Sequence, residues 1–207
     1  MKTKFLKLSL LALFIFTASC SSDDKDNAIP EVVTTKVSDL YAPQTGGDRG
    51  TAASGEFTKF SFSENKIVTT DKWDIAFRGT AIIVNGGAKI GITDEPERTG
   101  TGAVSIVSGT FAGVTTFPAV ATFAQDGVST YAFPTSGDNR WYDYDSNTHI
   151  ISAKAGKVFV VRTHDGKYAK FEILSYYKGA PATPDPLVGF RYFTFNFAYQ
   201  ANSTTTF

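Results

Sequence analysis

Apolar and polar residues alternate along much of this chain with a period of two, the spacing that puts successive side chains on opposite faces of a strand. The clearest case is 191–200, where Phe193, Phe195, Phe197 and Tyr199 share one face and Thr194, Asn196 and Ala198 the other. That pattern predicts a half-buried antiparallel strand with an aromatic face. The strongest local signal is a pair of runs rich in β-branched and aromatic residues, 157–163 and 167–177, flanking Asp165-Gly166. Asp-Gly in that setting predicts a hairpin on a two-residue type I′ turn. The register then sets Val160 opposite Phe171 and Val158 opposite Ile173, with Arg162 and Ala169 on the same core face. Lys170 and Glu172 point the other way, toward solvent or a mixed surface.

Upstream, strands are predicted at 32–37, at 56–63 and 66–70 around a turn at Glu64-Asn65, at 73–78 and 80–85, and at 103–107. The stretches 43–55, 91–102 and 136–139 are rich in Gly, Ser, Pro or Asp and carry no period, so they read as loops. No internal repeat and no amphipathic helix stand out beyond the first 20 residues. The chain therefore reads as all-β, with one antiparallel, sandwich-like domain over 31–207.

At 207 residues the chain is long enough to bury one good core, which 18 Phe and 9 Tyr should dominate. The N-terminus has Lys2, Lys4 and Lys7, an apolar run over 8–16 and small residues before Cys20. It reads as a lipoprotein signal peptide at 1–19, with Cys20 the lipidation site and 20–30 a flexible acidic tether. Acyl chains there anchor by about 0.8 kcal/mol per buried CH₂. Cys20 is the only cysteine, so no disulfide can staple the fold. Ser21-Ser22-Asp23-Asp24-Lys25-Asp26 resembles the short acidic export signal of Bacteroidetes-type surface lipoproteins, which implies an outer-membrane, cell-surface location. Without residues 1–19 there are 17 basic against 20 acidic side chains, about −3, and no Lys/Arg stripe of the kind nucleic acid requires.

Enzyme signatures are missing: there is no Gly-x-Ser-x-Gly, no His-Glu-x-x-His, no P-loop and no Cys free to act as nucleophile. The expectation is a protein that is not an enzyme, with a carboxylate pair for glycoside hydrolysis the one alternative that needs proximity alone. Asp143, Asp145 and Asn147 open like a calcium loop. Thr148 then occupies the glycine place and Lys154 that of the bidentate Glu, so an EF-hand is rejected, and an irregular calcium site or a solvated acidic turn are the readings left.

Residues 141–178 with the closing 191–200 resemble the C-terminal half of the HmuY family of haem-binding surface lipoproteins. FTKFSFSENKIV at 57–68 and KWDIAFRGTAIIVNGG at 72–87 resemble that family's opening strands and its Trp-Asp strand. The resemblance implies a protein that captures haem, or a similar flat hydrophobic ligand, and passes it to an outer-membrane transporter. Haem requires an apolar slot, groups for its propionates and axial ligands from His, Met, Cys or Tyr. Met1 is the only methionine and leaves with the leader, so His149, His164 and the tyrosines are the inventory.

His149 lies close to one axial position implied by the family, although counting from Trp141 places that position nearer Ser146. The partner segment, 124–140, offers Tyr131. Arg78, Arg140 and Lys154 are the propionate candidates. Two readings stand for His149: an iron ligand, or a structural histidine capping the turn before Ile150-Ile151. His164 sits at the hairpin tip, about 23 Å from its base, and reads as an exposed turn residue. Trp141, Tyr142, Tyr144, Tyr176 and Tyr177 form either a stacking surface or ordinary strand packing. A haem-independent surface adhesion module for glycan or protein is the alternative function on the same fold.

Overall fold

The computed structural model describes residues 31–47 and 50–207. The signal peptide, the lipidation of Cys20 and the tether lie outside them. The strands in chain order are β1 (Thr34–Tyr41), β2 (Thr58–Ser61), β3 (Lys66–Ile67), β4 (Ile75–Arg78), β5 (Ala81–Val84) and β6 (Ala103–Ser108). Then follow β7 (Tyr142–Tyr144), β8 (Ile151–Ala153), β9 (Lys157–Arg162), β10 (Tyr168–Tyr177) and β11 (Phe190–Gln200). A five-stranded sheet runs β1-β11-β10-β9-β6, a four-stranded sheet β3-β2-β4-β5, and β7 pairs with β8 alone. Every pairing is antiparallel, and a 3-10 turn at Val120–Thr122 is the one helical element among the described residues. The all-β reading of the sequence is borne out.

The two large sheets face each other across an aromatic core. Phe60 meets Phe195 with ring centroids 5.4 Å apart, Phe77 meets Phe193 at 4.8 Å and Phe62 meets Phe171 at 5.8 Å. Such pairs add about 0.5–1.5 kcal/mol each beyond the area they bury. The core-facing Phe193, Phe195 and Phe197 are the alternating face read from the sequence. Thr194 and Ala198 on the other face are also buried, because β11 lies inside the sheet between β1 and β10.

The β9–β10 hairpin forms as expected but one residue out of register. Phe171 pairs with Phe159 and Lys170 with Val160. The Thr163 amide donates to Lys167 O at 2.8 Å and the Gly166 amide to Thr163 O at 3.0 Å, so the loop has three residues. Gly166 alone takes positive φ, at +81°, while Asp165 does not. A type I turn closed by one left-handed glycine uses the same Asp-Gly pair as a type I′ turn. The slip places Phe159, Val161, Ala169 and Phe171 in the central core. Val158 and Val160 go to the outer face, beneath Phe111, Phe117 and the C-terminal Phe207.

Lys170 stays on the face opposite Phe171, as expected, but that face is covered and the side chain is buried rather than solvent-facing. Its Nζ donates to Phe111 O at 2.9 Å and Val114 O at 2.7 Å, and it lies 4.6 Å from the Phe111 ring centre. Lys170→Met should keep the aliphatic packing and orphan two carbonyls. The expected loss is about 1–3 kcal/mol, read by urea denaturation; an unchanged midpoint would refute this role.

Candidate functional site

Beyond the edge of the sandwich, β7 and β8 form a small hairpin whose connection is built by Asp145. Its amide donates to Ile150 O at 2.9 Å, and its carbonyl accepts the His149 amide at 2.8 Å. Its carboxylate accepts the Asn147 amide at 2.8 Å. That bond first, and then Thr148, holds the carboxyl below the usual range. The turn ends with His149 at φ +59°, a left-handed conformation in which histidine is several-fold enriched. The imidazole is thereby folded back over β7, and its Nδ1 lies 2.6 Å from the Tyr144 hydroxyl. The backbone of His149 does close the turn, while its ring stays exposed.

The two rings stand at an open cleft of about 460 Å³, bounded by Gly79-Thr80 of the β4–β5 turn, Ile151, Tyr176, Tyr177, Pro186, Phe190, Arg191 and Gln44. That volume is within the ordinary range for small-molecule sites, about 300–1,000 Å³. Tyr177 is locked by accepting the Ile151 amide at 3.0 Å. Trp141 backs the site from the core, its indole N–H donating to Thr80 O at 2.9 Å. Burial raises the Tyr176 phenol far above its ordinary value, against the pull of a bonded Arg191. Arg191 takes φ +70°, sets its guanidinium 5.0 Å from the Phe190 ring centre and donates to Gln44 O. Among the described residues, no carboxylate borders the cleft.

The other candidates lie elsewhere. Tyr131 packs with Trp73, Ala76 and Ile83 on the outer face of the four-stranded sheet, where burial raises its phenol and Arg78 opposes that. Its segment is pinned by Asp126, which accepts the Ala132 amide at 2.8 Å and the Val84 amide at 2.9 Å. No described cavity contains both Tyr131 and His149. Arg78 is buried, donating to Gly55 O and Thr93 O with its guanidinium 4.4 Å from the Phe57 ring centre. Arg140 and Lys154 converge on Asp143 at 3.7 and 3.4 Å. Asp143 alternates with Tyr144 along β7, so this pair of cations occupies the face away from the cleft.

Arg191, which does border it, went unread because nothing local marks the first residues of β11. His164 is half-buried rather than exposed. Its amide and Nδ1 both reach Asp74 Oδ1, at 2.9 and 2.8 Å, and Asp74 is fully buried. Trp141, Tyr176 and Tyr177 are core residues, whereas Tyr144 is an open surface ring.

A second cleft of about 460 Å³ lies along Phe57, Lys59, Ile67 and Val68, but no His, Tyr, Cys or Met borders it. Of these two clefts, the His149 cleft is the one that carries imidazole and phenol groups. No group of three or more His, Cys, Asp or Glu positioned for a metal occurs among the described residues.

A family model described as HmuY protein matches residues 54–192. The chain belongs to the HmuY family. Solved structures similar in fold include an apo HmuY analog from Tannerella forsythia, at 14% identity and TM-score 0.48, covering 84% of this chain and 99% of that one. A provisionally assigned HmuY-like haem-binding protein from Bacteroides vulgatus has 15% identity and TM-score 0.45 over 84% and 93%. A provisionally assigned lipoprotein from Bacteroides fragilis has 15% identity and TM-score 0.47 over 86% and 93%. Comparison with curated proteins gave no significant match. The HmuY match spans the cleft from Gly79 to Arg191 and leaves out Gln44.

Proposed function

We propose that this HmuY-family chain is a lipid-anchored cell-surface protein that captures haem in the His149 cleft and hands it to an outer-membrane transporter. The work is binding and release, without bond-making in the ligand. The observation that carries this reading is the meeting of three chemistries in one cavity. Tyr144, Tyr177 and Phe190 offer ring faces, Arg191 a cation for a propionate, and the Tyr144–His149 pair nitrogen and oxygen donors for iron. These residues fit the needs of haem, whose bound iron supplies the Lewis acid they would meet.

The test is titration of the mature chain without its lipidated Cys20, from residue 21 onward, with haemin. A saturable Soret shift at micromolar haemin is expected, and His149→Ala should weaken it by about tenfold or more. A flat spectrum would overturn the haem reading. One observation favours the alternative of a haem-independent adhesion module: the pinned 124–132 segment supplies no donor to the cleft. Glycan-array or partner capture by haem-negative protein would then be the expected result.

A further inference from the structure

We propose that Tyr144, rather than His149, is the side chain that coordinates iron, with His149 the positioning residue whose Nδ1 accepts the phenolic hydrogen bond. This rests on the haem reading of the cleft and goes beyond it by assigning the donor atom. The Tyr144 hydroxyl and His149 Nδ1 are 2.6 Å apart, a short contact for two uncharged groups. A neutral imidazole has one N–H donor and one acceptor nitrogen, and the bond made by one nitrogen fixes the role of the other. A phenol is the stronger acid of the two partners, so its O–H donates and Nδ1 accepts. His149 Nε2 then carries the ring proton and has no lone pair directed at a ligand.

The lone pairs left to offer are those of the Tyr144 oxygen. Three further features agree. Tyr144 is 48% exposed on the cleft wall. Histidines that ligate metals rest their second nitrogen on a carboxylate or carbonyl, and His149 rests its own on a phenol. Among the described residues that border the cleft, Arg191 is charged and none is a carboxylate, so no carboxylate there competes with the Tyr144 oxygen for iron.

The step balances without redox change. The Tyr144 O–H bond would break as its oxygen gives an electron pair to ferric iron, and the proton would leave with the hydroxide of free haemin as water. Hard ferric iron suits an anionic oxygen.

Haemin, sodium-dithionite-reduced haemin and metal-free protoporphyrin IX should be titrated into the mature chain and its variants, with resonance Raman spectra of the ferric complexes. The native chain should show phenolate modes and a phenolate-to-iron charge-transfer band, with ferric affinity well above ferrous. Tyr144→Phe should lose the band and about tenfold or more of ferric affinity, a far larger loss than it shows for protoporphyrin IX. His149→Ala should keep the band at lower affinity, and His149→Gln, which retains an acceptor, should restore part of it. Ferric coordination unchanged in Tyr144→Phe would overturn this assignment and leave haem capture standing. No spectral response to haemin in the native chain would overturn both.

Discussion

Asp74→Ala should lower the unfolding free energy by about 3–5 kcal/mol, because the carboxylate is fully buried and joins three parts of the fold. Its Oδ2 accepts the Phe62 amide at 2.7 Å, after β2. Its Oδ1 accepts the His164 amide and faces His164 Nδ1, at the tip of the β9–β10 hairpin in the opposite sheet. Burial pushes the carboxyl up, and the bonds from His164 and Phe62 pull against it. Alanine leaves two amides without a partner, at about 1–3 kcal/mol each, and releases the hairpin tip. Asparagine replaces one acceptor with a donor aimed at a donor, so Asp74→Asn should also destabilise. His164→Ala removes one partner and keeps both amides satisfied, so it should cost only about 1 kcal/mol. Urea denaturation of the three variants checks this ordering, and an Asp74→Ala midpoint near the native one would refute the clamp.

Asp126→Ala should be comparably severe, about 3–5 kcal/mol, because it orphans two buried amides, at about 1–3 kcal/mol each, and takes one of two anions from a buried cation. Arg98 lies between Asp126, at 2.9 Å, and Glu95, with all three side chains almost wholly covered. The Arg98 Nε has no partner, and without Asp126 the guanidinium keeps only Glu95 and the Pro96 carbonyl, to which it donates at 2.9 Å. The same deletion orphans the Val84 and Ala132 amides. Asp126→Asn, which keeps one carbonyl oxygen for those amides, should recover part of the loss, read by thermal denaturation. Equal losses in Asp126→Ala and Asp126→Asn would count against the role of the amides.

The acids of this cluster respond oppositely to pH. Burial pushes Glu95 up, but the amides of Ile90, Gly91 and Ile92 with Arg98 outweigh it, so its carboxyl lies below 4.5. Its stabilisation is present above that value and is lost as pH falls through the folded-state pKa. Burial holds Asp126 above 3.8, so its contribution falls as pH rises through that window. Glu95→Gln should therefore flatten the acid limb of the stability curve, and a limb of unchanged slope would count against the amide cradle.

Much of the architecture was legible before any coordinates. Alternation identified β11 and its aromatic face, and runs between glycine-rich loops located β2, β4, β5, β6, β9 and β10. Period-two spacing is a local consequence of backbone geometry, so a single strand displays it. The resemblance of 57–87 and 141–200 to the HmuY family agrees with the later match over 54–192, and His149 does stand at a cleft.

Other features depended on what packs across from each strand. The hairpin register was misread because both faces of β9 and β10 are buried, leaving no polar face to distinguish a two-residue from a three-residue loop. For the same reason Lys170 looked like a surface residue. Asp74 and His164 are 90 positions apart, and no spacing rule links them.

By itself the sequence determined the strands, the aromatic faces and the family, because each follows from neighbours in the chain. Only the tertiary structure decided which ionisable groups meet: Asp74 with His164, Arg98 with Asp126, and Arg191 with the Tyr144–His149 pair around one cavity. A buried charge or a ligand atom acts through its surroundings in space, and the sandwich brings those surroundings together from distant parts of the chain.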